Sequence, residues 1–320
     1  MFIERLIEFY HRSKPEDARI SSIWSGIVGS YQSELVQALN ERNAAKVQAI
    51  FDDPKKTTET IYGLDTVVVQ EWGRDITTAY FPFLAWRVGA LPARHPIQPS
   101  PDENWNFHDG IELKKKIENV IGPIQVPNGF LRANNETGIP YSYFSKLAEW
   151  HTISSLMNPP PKCILEIGAG TGGLALAAFN NGVRDYTIID IPSTAVISAY
   201  YVSKACGDDS IWMDGEAPNP TAFCRWFACN NYVGAESKYD LIANVNSFPE
   251  MTIENQDDYI KFISRCLSVN GMFYSCNHES NMNGQSSVRS AVNRIGGFKT
   301  VYRAPFMMRD GYVEEFYRKA

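Results

Sequence analysis

The chain has little histidine, 5 residues in 320, and no excess of positive charge: 30 lysines and arginines stand against 36 aspartates and glutamates, a formal net charge of −6. Both halves share that balance, with 16 basic and 19 acidic residues in 1–150 and 14 and 17 in 151–320. Neither half is a basic platform for a phosphate backbone, and Lys114-Lys115-Lys116, the one basic triplet, reads as a solvated helix face. Nucleic acid is therefore disfavoured as a partner. Cysteines are few and scattered, at 163, 206, 224, 229, 266 and 276, with no Cys-x-x-Cys pair. That excludes paired zinc spacing and reads as reduced thiols. No apolar run approaches the roughly 18 residues of a membrane helix. Met1 to Glu8 is amphipathic and acidic rather than a basic stretch ahead of an apolar one, so a cytoplasmic chain without membrane insertion is expected. No repeat is visible, and no segment is polar enough to read as disordered.

What is present is core material: 44% of residues are hydrophobic and 12% aromatic. The length exceeds one minimal domain of roughly 150 residues, so two lobes are expected. Residues 1 to about 50 read as helices, with Phe2, Leu6, Phe9 and Tyr10 and then Tyr31, Leu35, Ala38 and Leu39 at helical spacing. Seven prolines between 80 and 130 preclude a continuous helix there, apart from a short one over 109–120. The reading is a mainly helical N-terminal cap over 1–140, with 87–127 as the candidate lid, ahead of an α/β domain over 141–320.

The second domain opens with a helix over 141–157, stopped by Pro159-Pro160-Pro161. Strands are predicted at 162–167, 186–190, 210–214, 239–245 and 271–277, with helices over 172–180, 193–206, 219–230 and 256–268 between them. A helix near 285–295 and strands at 298–304 and 312–317 close the chain. Such alternation implies a Rossmann-like, mostly parallel sheet of seven strands with helices on both faces.

The sharpest local signal is Glu166-Ile-Gly-Ala-Gly-Thr-Gly-Gly173, an apolar strand ending in an acid and a glycine turn that opens a helix. Glycine there permits positive φ and close approach of a ligand to the backbone. A dinucleotide fingerprint spaces its glycines as Gly-x-Gly-x-x-Gly, whereas these fall at 168, 170, 172 and 173. The pattern resembles motif I of class I S-adenosylmethionine-dependent methyltransferases. An NAD-binding oxidoreductase or another Rossmann-like binder stays open at this point. On the methyltransferase reading, Asp190 at the end of the second strand takes the ribose hydroxyls, Ile191 flanks the adenine, and Asp214 accepts from the adenine amino group.

Ligands of open α/β sheets sit at the carboxyl ends of the strands. The fourth predicted strand ends in Asn244-Val-Asn246-Ser247-Phe-Pro-Glu250, so Asn246 and Ser247 are substrate candidates, and Glu250, a catalytic candidate, can bind a hydroxyl, hold a metal or cap a helix. His278, the one histidine at this end of the predicted sheet, is the general-base candidate, since an alcohol acceptor gains from losing its proton as the new bond forms. Tyr141 and Tyr143, with Trp105 and Phe107 of the cap, offer flat faces suited to sugar rings. His151 can face core or cleft. A divalent metal is left open, with no spacing rule to fix its ligands.

With Asp190-Ile-Pro, Ser247-Phe-Pro-Glu-Met251 and Asn277-His278 added, the chain resembles the sugar O-methyltransferase family of surface-polysaccharide and glycosylated natural-product clusters. The Val126-Pro-Asn-Gly129 to Tyr141-Ser-Tyr143 stretch extends that similarity. The resemblance implies S-adenosyl-L-methionine as cofactor, with Glu166, Gly168, Gly170, Gly172 and Asp190 as its contacts and the 247–251 segment on the acceptor side; Ala169 in the same turn and Asn244 at the end of its strand are further cofactor candidates by position. The implied acceptor is a small glycosyl molecule, a nucleotide-linked sugar or a glycoside. Methylation of another small metabolite at oxygen or nitrogen, a non-catalytic binding protein of this fold, and homo-oligomerisation remain open.

Overall fold

The structure, a computed structural model of the chain, describes residues 1–53, 110–124, 141–279, 286–306 and 311–320, with positions 56, 57, 60, 61, 84, 85, 87–90 and 309. Trp105, Phe107 and most of the 87–127 segment lie outside the described residues. Four helices open the chain: α1 (Phe2–Arg12), α2 (Ser22–Ser30), α3 (Ser33–Asn40) and α4 (Ala44–Asp52). Then come α5 (Gly110–Ile121) and α6 (Tyr141–Leu156). The α/β part follows as β1 (Cys163–Ile167), α7 (Gly173–Asn180), β2 (Asp185–Asp190), α8 (Pro192–Cys206), β3 (Ile211–Met213), β4 (Cys224–Ala228) and β5 (Tyr239–Val245). It ends with α9 (Ile253–Cys266), β6 (Leu267–His278), α10 (Val288–Ile295), β7 (Phe298–Pro305) and β8 (Tyr312–Lys319).

The strands form one sheet in the order β3-β4-β2-β1-β5-β6-β8-β7. Strands β1 to β6 pair in parallel, with Leu165 of β1 opposite Thr187 of β2 and Ile242 of β5, while β8 runs antiparallel to β6 and β7 as a closing hairpin. The order reverses between β1 and β5, and the crevice beyond their carboxyl ends is where such sheets take ligands. The edge strand β7 is mostly exposed and carries Lys299, Arg303 and Pro305, which discourage pairing with another sheet.

One expectation is corrected. The helix predicted over 219–230 is the strand β4 followed by a 3-10 helix, Cys229–Ala235, so the sheet has eight strands rather than seven. Cys224-Arg-Trp-Phe-Ala is rich in aromatics that suit a pleated surface. The strand is inserted against β2, Trp226 is fully buried, and Arg225 turns to the surface to pair with Asp185. The 210–214 strand is thereby displaced to the sheet edge.

The apolar core lies on both faces of the sheet. One cluster gathers α9 and α10, and the other joins α6, α7 and α8 to the N-terminal helices in a continuous body. Phe51 of α4 stacks on Tyr200 of α8, with ring centroids 4.0 Å apart. Arg5 of α1 grips Glu216 with two hydrogen bonds, of 2.7 and 2.8 Å, and donates to the Ile211 carbonyl at 2.8 Å. These contacts carry the chain after α1 across the carboxyl ends of the strands.

Candidate active site

A cleft of about 880 Å³ opens at that crevice. Its floor is the glycine turn, where Gly168, Gly170 and Gly172 all have positive φ. At Gly168 (φ 76°) a Cβ would fall 2.2 Å from Ser247 Oγ, so only glycine lets the ends of β1 and β5 approach this closely. Gly172 serves a different purpose: a Cβ there would meet Val202 at 2.6 Å, which makes it the packing point of α7 on α8, outside the cleft lining.

Asp190 ends β2 at 7% exposure, and Ile191 beside it also lines the cleft. Its Oδ2 accepts the Gly170 N–H at 3.1 Å and its Oδ1 the Ile191 N–H at 2.8 Å. Burial pushes this carboxyl up to about 7, against those backbone donors, which favour the charged form. Asp214 lines the cleft from the sheet edge, bonded by Asn231 Nδ2, while its carbonyl accepts from Arg12 Nε at 3.2 Å.

Asn244 and Glu166 stand behind the cleft wall. Asn244 is fully buried and donates to the Ile167 carbonyl at 2.8 Å and to Ser247 Oγ at 2.6 Å, while its Oδ1 accepts from Asn277 at 2.9 Å. It clamps the end of β1 to the loop after β5 and does not line the cleft. Glu166 is also buried, accepts from Tyr186 Oη at 2.8 Å, and is raised to about 7 by burial. Asn246 (φ 58°) and Ser247 line the cleft together with Ala169.

Glu250 sits in the short 3-10 helix Phe248–Glu250 and faces the cleft. Its Oε2 accepts the Trp24 Nε1–H at 2.8 Å, from a residue 226 positions earlier. Burial raises the Glu250 carboxyl to about 7, opposed by the indole donor and by the charge of Arg309. A carboxyl so placed is half ionised near neutrality, the condition that suits a general base.

His278 stands apart from this group. It ends β6 outside the cleft lining, with its ring edge-on to Tyr312 at 5.8 Å, and burial and Arg309 hold its pKa below the usual value. Tyr143 is a core residue, buried between α6 and α7, and its hydroxyl accepts from Asn180 at 3.0 Å. Tyr141 opens α6, and its side chain lies outside the described residues. His151 is half-buried on α6 and does not line the cleft, and burial and Arg87 lower its pKa.

Several cleft residues carry no signal in the sequence reading. On α6, Lys146 and Glu149 pair at 3.1 Å with side-chain exposures of 14% and 1%, and burial raises Glu149 to about 7. Only their i, i+3 spacing on a helix with no other lysine, arginine, aspartate or glutamate marks them. The roof is the segment from Arg12 to Trp24. Asn230 Nδ2 holds the Lys14 carbonyl at 3.1 Å, Asn255 Nδ2 the Arg19 carbonyl at 2.8 Å, and Trp24 bonds Glu250. Phe306, Arg309 and Tyr312 complete the wall from the closing hairpin. Among the described residues, no group of three or more histidine, cysteine, aspartate or glutamate side chains is placed to hold a metal, and no helix is long and apolar enough to cross a membrane.

No family model matches the chain, and no curated protein matches it. Among solved structures it is similar to the ribosomal protein L11 methylase of Lactobacillus delbrueckii subsp. bulgaricus, at 14% identity over 59% of this chain and 81% of that one, with a TM-score of 0.40. It is also similar to the glycopeptide N-methyltransferase MtfA complexed with S-adenosyl-L-methionine, at 12% identity over 55% and 94% of the two chains, with a TM-score of 0.43. A third is the mitomycin 7-O-methyltransferase MmcR, at 11% identity over 67% and 59%, with a TM-score of 0.42.

Proposed function

We propose that this chain is an S-adenosylmethionine-dependent O-methyltransferase that acts on a hydroxyl of a small glycosyl acceptor. The observation that carries the reading is the pairing of two carboxyls in one cleft: Asp190, fixed by backbone amides beside a glycine turn, and Glu250, tuned by burial to about 7. The first suits a ribose diol, because one carboxylate accepts from two hydroxyls. The second suits an acidic-proton acceptor that must be deprotonated.

The residues fit the donor. Gly168 has no room for a side chain, so the backbone itself forms the surface of the turn, and Ile191 offers an apolar face beside Asp190. Lys146 and Glu149 present opposite charges suited to the zwitterionic amino-acid end of the donor. When bound, S-adenosylmethionine supplies a methyl group made electrophilic by its sulfonium. Glu250 would then accept the proton of the acceptor hydroxyl at its carboxylate. The roof segment from Arg12 to Trp24 lines the same cleft as Glu250. A volume near the top of the roughly 300–1,000 Å³ range of small-molecule sites leaves room for donor and acceptor together.

The test is release of S-adenosylhomocysteine from a methyl-labelled donor over a panel of glycosides and nucleotide sugars, with donor affinity measured by calorimetry. Turnover with a hydroxyl acceptor supports the reading. Donor binding without turnover on any of them would move the acceptor to another small metabolite, and absence of donor binding would overturn the reading.

A further inference from the structure

Most arginines among the described residues are paired with acids, while Arg12 and Arg184 bond backbone carbonyls. Arg5 is bonded to Glu216, Arg87 to Glu314, Arg225 to Asp185, Arg294 to Asp257, and Arg303 to Glu279 and Glu315. Arg309 is different. It lines the cleft, and among the described residues its guanidinium has no side-chain hydrogen bond and no ion pair. Its guanidinium carbon lies over the Tyr312 ring, 4.2 Å from the centroid. Its backbone is held in the hairpin, where Arg309 N–H donates to the Phe306 carbonyl at 3.1 Å and Tyr312 N–H to the Arg309 carbonyl at 3.3 Å. The Arg309 charge acts on both Glu250 and Glu149, yet it bonds neither. A guanidinium with a free fork matches carboxylate and phosphate in a planar, two-pronged way.

From this geometry we infer that Arg309 is an anion receptor in the acceptor half of the cleft, so that the acceptor is an acidic glycosyl molecule bearing a carboxylate or a phosphate. The inference rests on the O-methyltransferase reading for the word acceptor and deepens it by substrate class. Glu250 and Arg309 then act on one molecule: the carboxyl faces the hydroxyl that loses its proton, and the guanidinium holds the anionic group. The same arrangement discriminates against neutral sugars, because they leave the half-buried fork without a partner.

The test reads binding to the protein loaded with S-adenosylhomocysteine, using methyl glucoside, methyl glucuronide and glucose 1-phosphate in calorimetry. At least one anionic probe is expected to bind about 10- to 100-fold more tightly than the neutral glucoside. Preference for the glucuronide identifies a carboxylate source, and preference for the sugar phosphate a phosphate source. In Arg309→Gln the preference should fall to within about threefold, and Arg309→Lys, which keeps the charge and loses the fork, should lie between. Equal binding of charged and neutral probes, no binding of either anion, or a preference that survives Arg309→Gln overturns the proposal. So does a tenfold loss of S-adenosylhomocysteine affinity in Arg309→Gln, which would assign the residue to the donor's own carboxylate. A protein that keeps the charge preference but never transfers a methyl group would overturn the O-methyltransferase reading and leave Arg309 as an anion receptor for a bound, unmethylated ligand.

Discussion

Replacing Glu250 by glutamine separates catalysis from shape. The amide is nearly isosteric, and its oxygen can still accept the Trp24 indole N–H that now lies 2.8 Å from Oε2. What is lost is a proton acceptor with a pKa of about 7. Positioned general bases contribute roughly 10²–10⁴-fold, so kcat for Glu250→Gln should fall by that factor while donor affinity changes less than about twofold. The wild-type rate should rise as pH climbs through about 7 and level off above it, and the variant should lose that dependence. Stability supplies a second readout of opposite sign. The folded carboxyl at about 7 lies above its ordinary 4.5, so its contribution to stability is fully present below 4.5 and is lost as pH rises through 7. The gap, 7 − 4.5 = 2.5 units, corresponds to an upper bound of roughly 3.5 kcal/mol at about 1.4 kcal/mol per unit. Glu250→Gln should therefore melt higher than wild type at pH 8 and no higher at pH 4. Steady-state kinetics from pH 5.5 to 9 and thermal melts at both ends check this. A kcat within threefold of wild type with an unchanged pH profile would refute Glu250 as the base, and a lower Tm at pH 8 would refute the electrostatic account.

Three further outcomes follow from the same geometry. Asp190→Asn removes a carboxylate that accepts from two backbone amides and should weaken S-adenosylhomocysteine binding by about 10- to 100-fold in calorimetry. Trp24→Phe keeps the ring but removes the donor that favours ionised Glu250, so the midpoint of the pH–rate profile should move up by about one unit. His278→Gln should leave kcat within about threefold of wild type, because the ring stands against Tyr312 and outside the cleft; a 10²-fold loss would return the base to His278.

The features legible along the chain are those coded by neighbouring residues. The strand-turn-helix at 163–180 is visible because apolar strand, acid and glycines are consecutive, and the observed β1 and α7 lie within a residue of the expected spans. The same holds for Asp190 at the end of β2. Segment 219–230 differs from the expected helix because helical and strand patterns are hard to separate in a short stretch with aromatics at mixed spacing. What turns it into β4 is the hydrogen-bonding edge of β2 that it meets, a partner 30 to 40 residues earlier in the chain.

The amino-acid order by itself determined the parallel α/β framework and the place of the glycine turn, since both follow from alternation of apolar runs with turn residues and from the φ freedom of glycine. Tertiary structure decided which polar groups share the cleft. Trp24, Lys146, Glu149, Glu250 and Arg309 meet only after the N-terminal helices dock on α8 and the closing hairpin turns back along β6. It also decided their chemistry. The values near 7 for Asp190, Glu149 and Glu250 come from burial, a property of the closed molecule that no stretch of sequence contains.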